Sequence, residues 1–139
     1  MDFKIYTSGA TKYVSPEDSY SWRKEAKNYL EKFDSDYRVK VFIPEEYFNY
    51  HTLTPLTQKQ CQQYFLKKVE SSDLMLVNLN GSNKSIGTGK ETERAVIKGI
   101  PIIGFGEDDV YPWIYNDCDV VMSTLEQALS YIRYYYLCS

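Results

Sequence analysis

The carboxylate best placed for chemistry in this chain is Glu91, in Ser85-Ile86-Gly87-Thr88-Gly89-Lys90-Glu91, where an apolar run has ended, two glycines bend the chain and a helix begins. Asp73-Leu74-Met75-Leu76-Val77-Asn78-Leu79 lies upstream and Gly99-Ile100-Pro101-Ile102-Ile103-Gly104-Phe105 downstream. Two buried-type runs around one helical segment predict a βαβ unit in a parallel sheet, whose ligands sit at the carboxyl ends of the strands. The Ser85 to Thr88 loop falls at that end, so a carboxylate in the first helical turn can reach a bound sugar or phosphate. Thr88-x-x-Glu91 is equally a capping box, in which the carboxylate serves the helix's own first amide, and spacing alone favours that structural role. Asp73 reads structurally as a solvated strand start and Ser85 as a turn residue.

Other chemistries are narrowed by what the chain holds. A single histidine, His51, excludes a metal site built on several histidines and any Ser-His-Asp arrangement not centred on it, and His51 itself reads as an ordinary loop residue. Three cysteines, Cys61, Cys118 and Cys138, have no metal-type spacing, and their odd number fits reduced thiols better than a disulfide framework. The glycines form no phosphate loop, because the pattern needs a glycine where Lys84 stands and a Ser or Thr where Glu91 stands. Gly87-Thr88-Gly89 opens like a dinucleotide fingerprint but lacks its third glycine and follows the third strand.

The elements that position these residues alternate. Phe3 to Thr7 reads as a first strand, followed by Ser8-Gly9-Ala10-Thr11, a small-residue turn that lets backbone approach a ligand closely. Ser15-Pro16 starts a helix running to about Phe33, and Tyr37 to Ile43 is a second strand stopped by Pro44. The aromatic stretch from Glu45 to Pro55 reads as a lid, a pocket wall or a packed surface loop. A helix is expected from a Thr57 to Gln60 cap through Glu70, a strand over Asp73 to Leu79, a helix over Thr88 to Gly99 and a strand over Pro101 to Phe105. One helical turn around Tyr111 to Tyr115 and a short strand over Asp119 to Met122 follow. Ser123 to Glu126 caps a last helix with Leu125, Ala128, Leu129, Ile132 and Tyr135 on one face. This alternation predicts an α/β fold, a five-stranded parallel doubly wound sheet of flavodoxin-like or Rossmann-like kind, in one domain spanning residues 1–139.

Bulk composition sets the partner class. With 43% hydrophobic and 25% charged residues, no run of membrane-spanning length and no signal-peptide layout at the start, the chain is expected in the cytoplasm, without a membrane partner. A net charge of −3 argues against a nucleic acid polymer as partner, which needs a basic face, and leaves a small molecule.

Ile5-Tyr6 with its small turn, Trp22-Arg23, Ser72-Asp73-Leu74, Gly87-Thr88-x-x-Glu91-x-x-x-Ala95 and Gly99-Ile100-Pro101-Ile102-Ile103 together resemble the nucleoside 2-deoxyribosyltransferase family, over nearly the whole chain. The resemblance implies that Glu91 attacks the anomeric carbon of a 2′-deoxynucleoside and holds the sugar as an ester until a second base or water takes it, as in a retaining glycosidase. It implies that Asp73 lies beside the base and delivers a proton to it, and that Tyr6 holds the nucleophile in position. Ser8, Gly9, Ser85, Gly87 and Thr88 are the expected substrate-binding residues, with no metal or organic cofactor, and the pocket is expected at a homo-oligomer interface. Tyr134-Tyr135-Tyr136-Leu137 offers interface anchors for such pairing.

Two departures bear on the substrate. Glu91-Thr92-Glu93 stands where the family often has Glu-x-Gly, which keeps a non-catalytic nucleotide-binding module as an alternative. Ser85 stands where base-exchanging members carry an aspartate, whereas the related deoxynucleoside 5′-monophosphate N-glycosidases carry serine. An aspartate repels a 5′-phosphate and a serine hydroxyl can bond to it; Lys12, Lys84 and Lys90 add positive charge nearby, or are simply solvated.

Overall fold

The computed structural model describes residues 1–11, 14–33, 35–48 and 54–138, apart from the Leu56 side chain; His51 and Lys12 lie outside the described residues. Five strands, β1 (Asp2–Gly9), β2 (Arg38–Phe42), β3 (Leu74–Asn78), β4 (Ile102–Phe105) and β5 (Val120–Met122), form one sheet in the order β2-β1-β3-β4-β5. Every pairing is parallel, with Tyr6 opposite Met75, Met75 opposite Ile102 and Ile103 opposite Val120. The central strands are buried on both faces, which is why Leu74-Met75-Leu76-Val77 is a continuous apolar run rather than an alternating one.

Helices cover the two faces. Ala26 and Leu30 of α1 (Pro16–Lys32) and Leu125, Ala128, Leu129 and Ile132 of α5 (Leu125–Ile132) pack against Ile5, Leu74, Leu76 and Ile103. On the other face Cys61, Phe65 and Val69 of α2 (Pro55–Glu70), Ala95 of α3 (Ile86–Ile97) and Ile114 of α4 (Pro112–Asp117) pack against Tyr6, Met75, Val77 and Ile102. Among the described residues no helix is long and apolar enough to cross a membrane.

Helix starts differ from the spacing-based expectation in an instructive way. Thr54, not Thr57, caps α2, because Pro55 with its preset φ and no N–H occupies the first helical position; the Thr57 amide donates back to Thr54 Oγ1 at 3.4 Å. Ser85 caps α3, accepting from the Thr88 amide at 3.3 Å with the two hydroxyls 2.6 Å apart. The box opening α5 joins Thr124 to Gln127, one residue later than Ser123 to Glu126. Tyr135 does not join the buried face of α5. From Arg133 to Leu137 the chain widens into a π turn, closed by the Cys138 amide on the Arg133 carbonyl at 2.9 Å, and this change of phase buries Leu137 and leaves Tyr135 73% exposed.

Candidate active site

In the order β2-β1-β3-β4-β5 the connections from β1 and β3 leave the sheet in opposite directions, and the crevice they open lies at the carboxyl ends of these two strands. A cavity of about 420 Å³ occupies it. Its walls come from Gly9 at the end of β1, Thr11 beyond it, Arg23 of α1, Pro44 after β2, one side of α2, and the segment from Lys84 into α3. Gly9 is closely packed: a Cβ there would stand 3.1 Å from the Trp22 ring and 3.2 Å from the Asn78 Cβ, so a side chain would have to push these neighbours aside. Gly87, also in the wall, has nothing within 4 Å of where its Cβ would be.

Glu91 is at the centre of this site. Because Ser85 caps α3, Glu91 falls in the second turn and is not spent on the helix end; the Thr88-x-x-Glu91 box is not made. Its carboxylate instead accepts from both alternate hydroxyls of β1, Tyr6 on Oε2 and Ser8 on Oε1, the latter at 2.7 Å. Tyr6 and Ser8 are two apart on one strand and so share a face, while Thr7 points the other way and bonds the Phe42 carbonyl. The carboxylate meets the cavity yet lies beneath enough protein that burial raises its pKa; the Tyr6 and Ser8 hydroxyls and the Arg23 charge pull it back, and Glu45 adds to the rise. Such a group is oriented by two donors and poorly solvated, so that once ionised it would be a reactive carboxylate.

Around it, Lys84, Ser85, Thr88 and Lys90 line the cavity where α3 begins. The first amides of that helix and two ammonium groups make this end of the cavity suited to an anion. The opposite part is neutral: Gln58, Cys61, Gln62, Phe65 and Leu66 of α2 line it. Burial pushes the Cys61 thiol up, so it stays protonated and does not compete as a nucleophile. Rings stack outward from Tyr6 through Phe42 to Tyr47, with centroids 5.4 and 4.9 Å apart, and close the core behind the site.

Asp73, expected beside the base, is not brought there. Ile5 pairs with Leu74, so Asp73 lies level with Lys4 at the amino ends of the strands, exposed, with its Oδ2 accepting from the Lys4 amide at 2.8 Å. Its place in the chain, just before an apolar strand, puts it at the opposite end of the sheet from the cavity. Glu93 is likewise exposed and lines a separate hollow with Trp113 rather than the cavity. Among the described residues no group of three His, Cys, Asp or Glu side chains could hold a metal ion.

No protein-family model matches the chain, and no curated protein matches it by sequence. Solved structures do. A 2-deoxyribosyltransferase from Bacillus psychrosaccharolyticus superposes with a TM-score of 0.70 at 16% identity, over 92% of this chain and 91% of that one. The 2-deoxyribosyltransferase from Leishmania mexicana superposes at 0.69 and 16% identity, over 97% and 99%. This chain has the 2-deoxyribosyltransferase fold. A CMP N-glycosidase from Clostridium botulinum shares it at 0.58 and 14% identity, over 95% and 98%.

Within this deoxyribosyltransferase fold, the sequence left two parts of the cavity unassigned. Arg23 stands on the buried stripe of α1 with Ser19, Ala26 and Leu30, and a charge at a core position of a helix was the available signal. Gln58 and Gln62 lie one turn apart on α2, on the side carrying Cys61 and Phe65; two amides on a partly apolar stripe mark a wall that meets something polar.

Proposed function

We propose that this chain cleaves the N-glycosidic bond of a 2′-deoxynucleoside or its 5′-monophosphate, with Glu91 as the nucleophile. The observation that carries the proposal is the Glu91 carboxylate, held by Tyr6 and Ser8 in the cavity at the β1 and β3 carboxyl ends. A Glu91 oxygen bonds to C1′ as the C1′–N bond breaks and its electron pair leaves with the base, giving a glycosyl ester. A nitrogen of a second base, or water, then attacks C1′ and releases the carboxylate, its proton passing to the base that left as an anion, so configuration at C1′ is retained. Gln62 offers an amide hydrogen bond to the departing base from the neutral wall.

The 5′-monophosphate reading, with water as acceptor, draws on a specific feature: Lys84, Ser85 and Lys90 at the start of α3 suit a phosphate dianion, and Ser85 brings no opposing charge. Incubation with deoxynucleosides and deoxynucleoside monophosphates, with and without a free acceptor base, followed by chromatography, tests the activity and separates transfer from hydrolysis. Release of base is expected; no release from any of these substrates would remove the proposal. The raised Glu91 pKa gives the profile a direction. The anion attacks, so kcat/KM rises with pH through a limb lying above the ordinary glutamate value of about 4.3. A limb at or below that value would count against Glu91 as the titrating group.

We also propose that the protein works as a homodimer or larger homo-oligomer. Tyr134 and Tyr135 are 64% and 73% exposed at the end of the chain, and Ile86 and Trp113, 82% and 76% exposed, flank the α3 start, more large apolar surface than an isolated subunit leaves in water without purpose. Light scattering at micromolar concentration should give at least twice the 16.3 kDa chain mass, and a monomer mass would exclude it.

A further inference from the structure

Arg23 is the most deeply buried charge among the described residues, with 1% of its surface exposed, and it lies in the cavity wall. Its Nη1 donates to Glu45 Oε2 at 2.8 Å and to the Ser19 carbonyl and hydroxyl at 2.7 and 2.9 Å; its Nη2 donates to the Gly9 carbonyl at 3.0 Å. Its guanidinium sits 4.7 Å from the centroid of the Trp22 ring. Two atoms of the pair, Arg23 Nε and Glu45 Oε1, are buried without a hydrogen-bond partner among the described residues. A largely buried ion pair with hydrogen-bonding capacity left over is a poor device for stability, since apolar side chains of similar volume commonly serve as well or better. Its placement points to another purpose. The Gly9 carbonyl that Arg23 holds follows Ser8, and Ser8 donates to Glu91.

We propose that Arg23, itself held by Glu45, is the positioning residue for Glu91: it pins the corner of β1 that presents Ser8 and supplies the positive field that favours the carboxylate over the acid. The groups that act on Glu91 are Tyr6 and Ser8 from β1, Arg23 from α1 and Glu45 from the turn after β2, and Cys61 of α2, Lys84 before α3 and Lys90 of α3 line the same cavity. Of the charges, Arg23 and Glu45 act on Glu91 with opposite signs, Arg23 lowering its pKa and Glu45 raising it. That opposition separates an electrostatic role from a packing role, because lost packing has no sign to reverse.

The inference rests on Glu91 being the functional carboxylate, and its test does not depend on turnover. Protein labelled with carboxyl ¹³C-glutamate is titrated by NMR, the Glu91 signal being the one lost in Glu91→Gln, alongside the pH profile of kcat/KM. Arg23→Met should raise the Glu91 titration by about one pH unit or more, with the acid limb moving alongside and kcat/KM falling about tenfold on that limb. Arg23→Lys should restore part of the shift, and Glu45→Gln should move it the other way. Unchanged titration in Arg23→Met and Glu45→Gln, or shifts of the same sign, overturns the proposal. If Arg23→Met fails to fold, Glu45→Gln decides: a downward shift supports the proposal and anything else overturns it. Opposed NMR shifts without turnover by parent or variants would sustain the role of Arg23 while removing the proposed cleavage; turnover with an unmoved acid limb would do the reverse.

Discussion

Glu91→Gln should lose glycosidic cleavage by on the order of 10⁴-fold or more while melting no lower than the parent. The loss follows from the proposed role of Glu91, since the neutral amide of glutamine cannot form the ester intermediate. The stability follows from the environment of the carboxylate. Burial raises the Glu91 pKa in the folded protein, so its favourable contribution to folding is complete below the unfolded glutamate value of about 4.3 and is lost as pH rises through the higher folded value. Glutamine resembles the protonated form at every pH and can still bond to Tyr6 and Ser8. Melting curves should therefore nearly coincide near pH 4 and separate in favour of the variant toward pH 8. Retained turnover would remove Glu91 from the chemistry. A lower melting temperature at pH 8 would show that the charged carboxylate stabilises the fold, contrary to its burial.

Ser85→Asp should separate the two substrate classes with little change in stability. Ser85 is the N-cap of α3, and aspartate is as good a cap, so the Thr88 amide keeps its acceptor and the helix its start. What changes is a negative charge in the cavity wall beside Lys84 and Lys90. A 5′-phosphate dianion bound there meets a like charge at about 4 Å, which costs on the order of 1 to 4 kcal/mol and lowers kcat/KM for monophosphates relative to nucleosides by roughly one to three decades. The parent should correspondingly prefer monophosphates. A parent that accepts only free nucleosides, with specificity unmoved or improved by the substitution, would make Ser85 a helix cap and nothing more, and base exchange between nucleosides the better description.

The two variants draw on one local fact, the position of the α3 cap. Spacing favours Thr88, three residues before Glu91, as the cap, although Ser85 carries a cap-forming hydroxyl three residues before Thr88. The structure chooses Ser85, because Ile86 and Gly87 are already helical, and this moves Glu91 out of the first turn, where its carboxylate meets β1. A residue that reads as a cap from its neighbours in sequence becomes the centre of the site.

The architecture itself was local information. Apolar runs of strand length alternating with helical stretches, and the prolines, serines and threonines between them, specify an all-parallel five-stranded α/β sheet because each element's periodicity and caps are set within a few residues. The same holds for the presence of Glu91 at the carboxyl end of a βαβ unit, whereas Ser8 and Gly9, expected in a turn, extend β1 and pair with Val77 and Asn78. Register and reach across the sheet were not local. Pairing of Ile5 with Leu74 sends Asp73 to the far end from the cavity, and pairing of Tyr6 with Met75 sets the β1 face on which two hydroxyls meet the α3 carboxylate. The Arg23 and Glu45 pair, 22 residues apart, and the α2 wall of Gln58 and Gln62 exist as parts of a site only once α1, α2 and the end of β2 are folded over one crevice. Hydrophobic periodicity names the elements and their order, whereas burial of a charge and the partner of a carboxylate depend on strand register, which only tertiary packing decides.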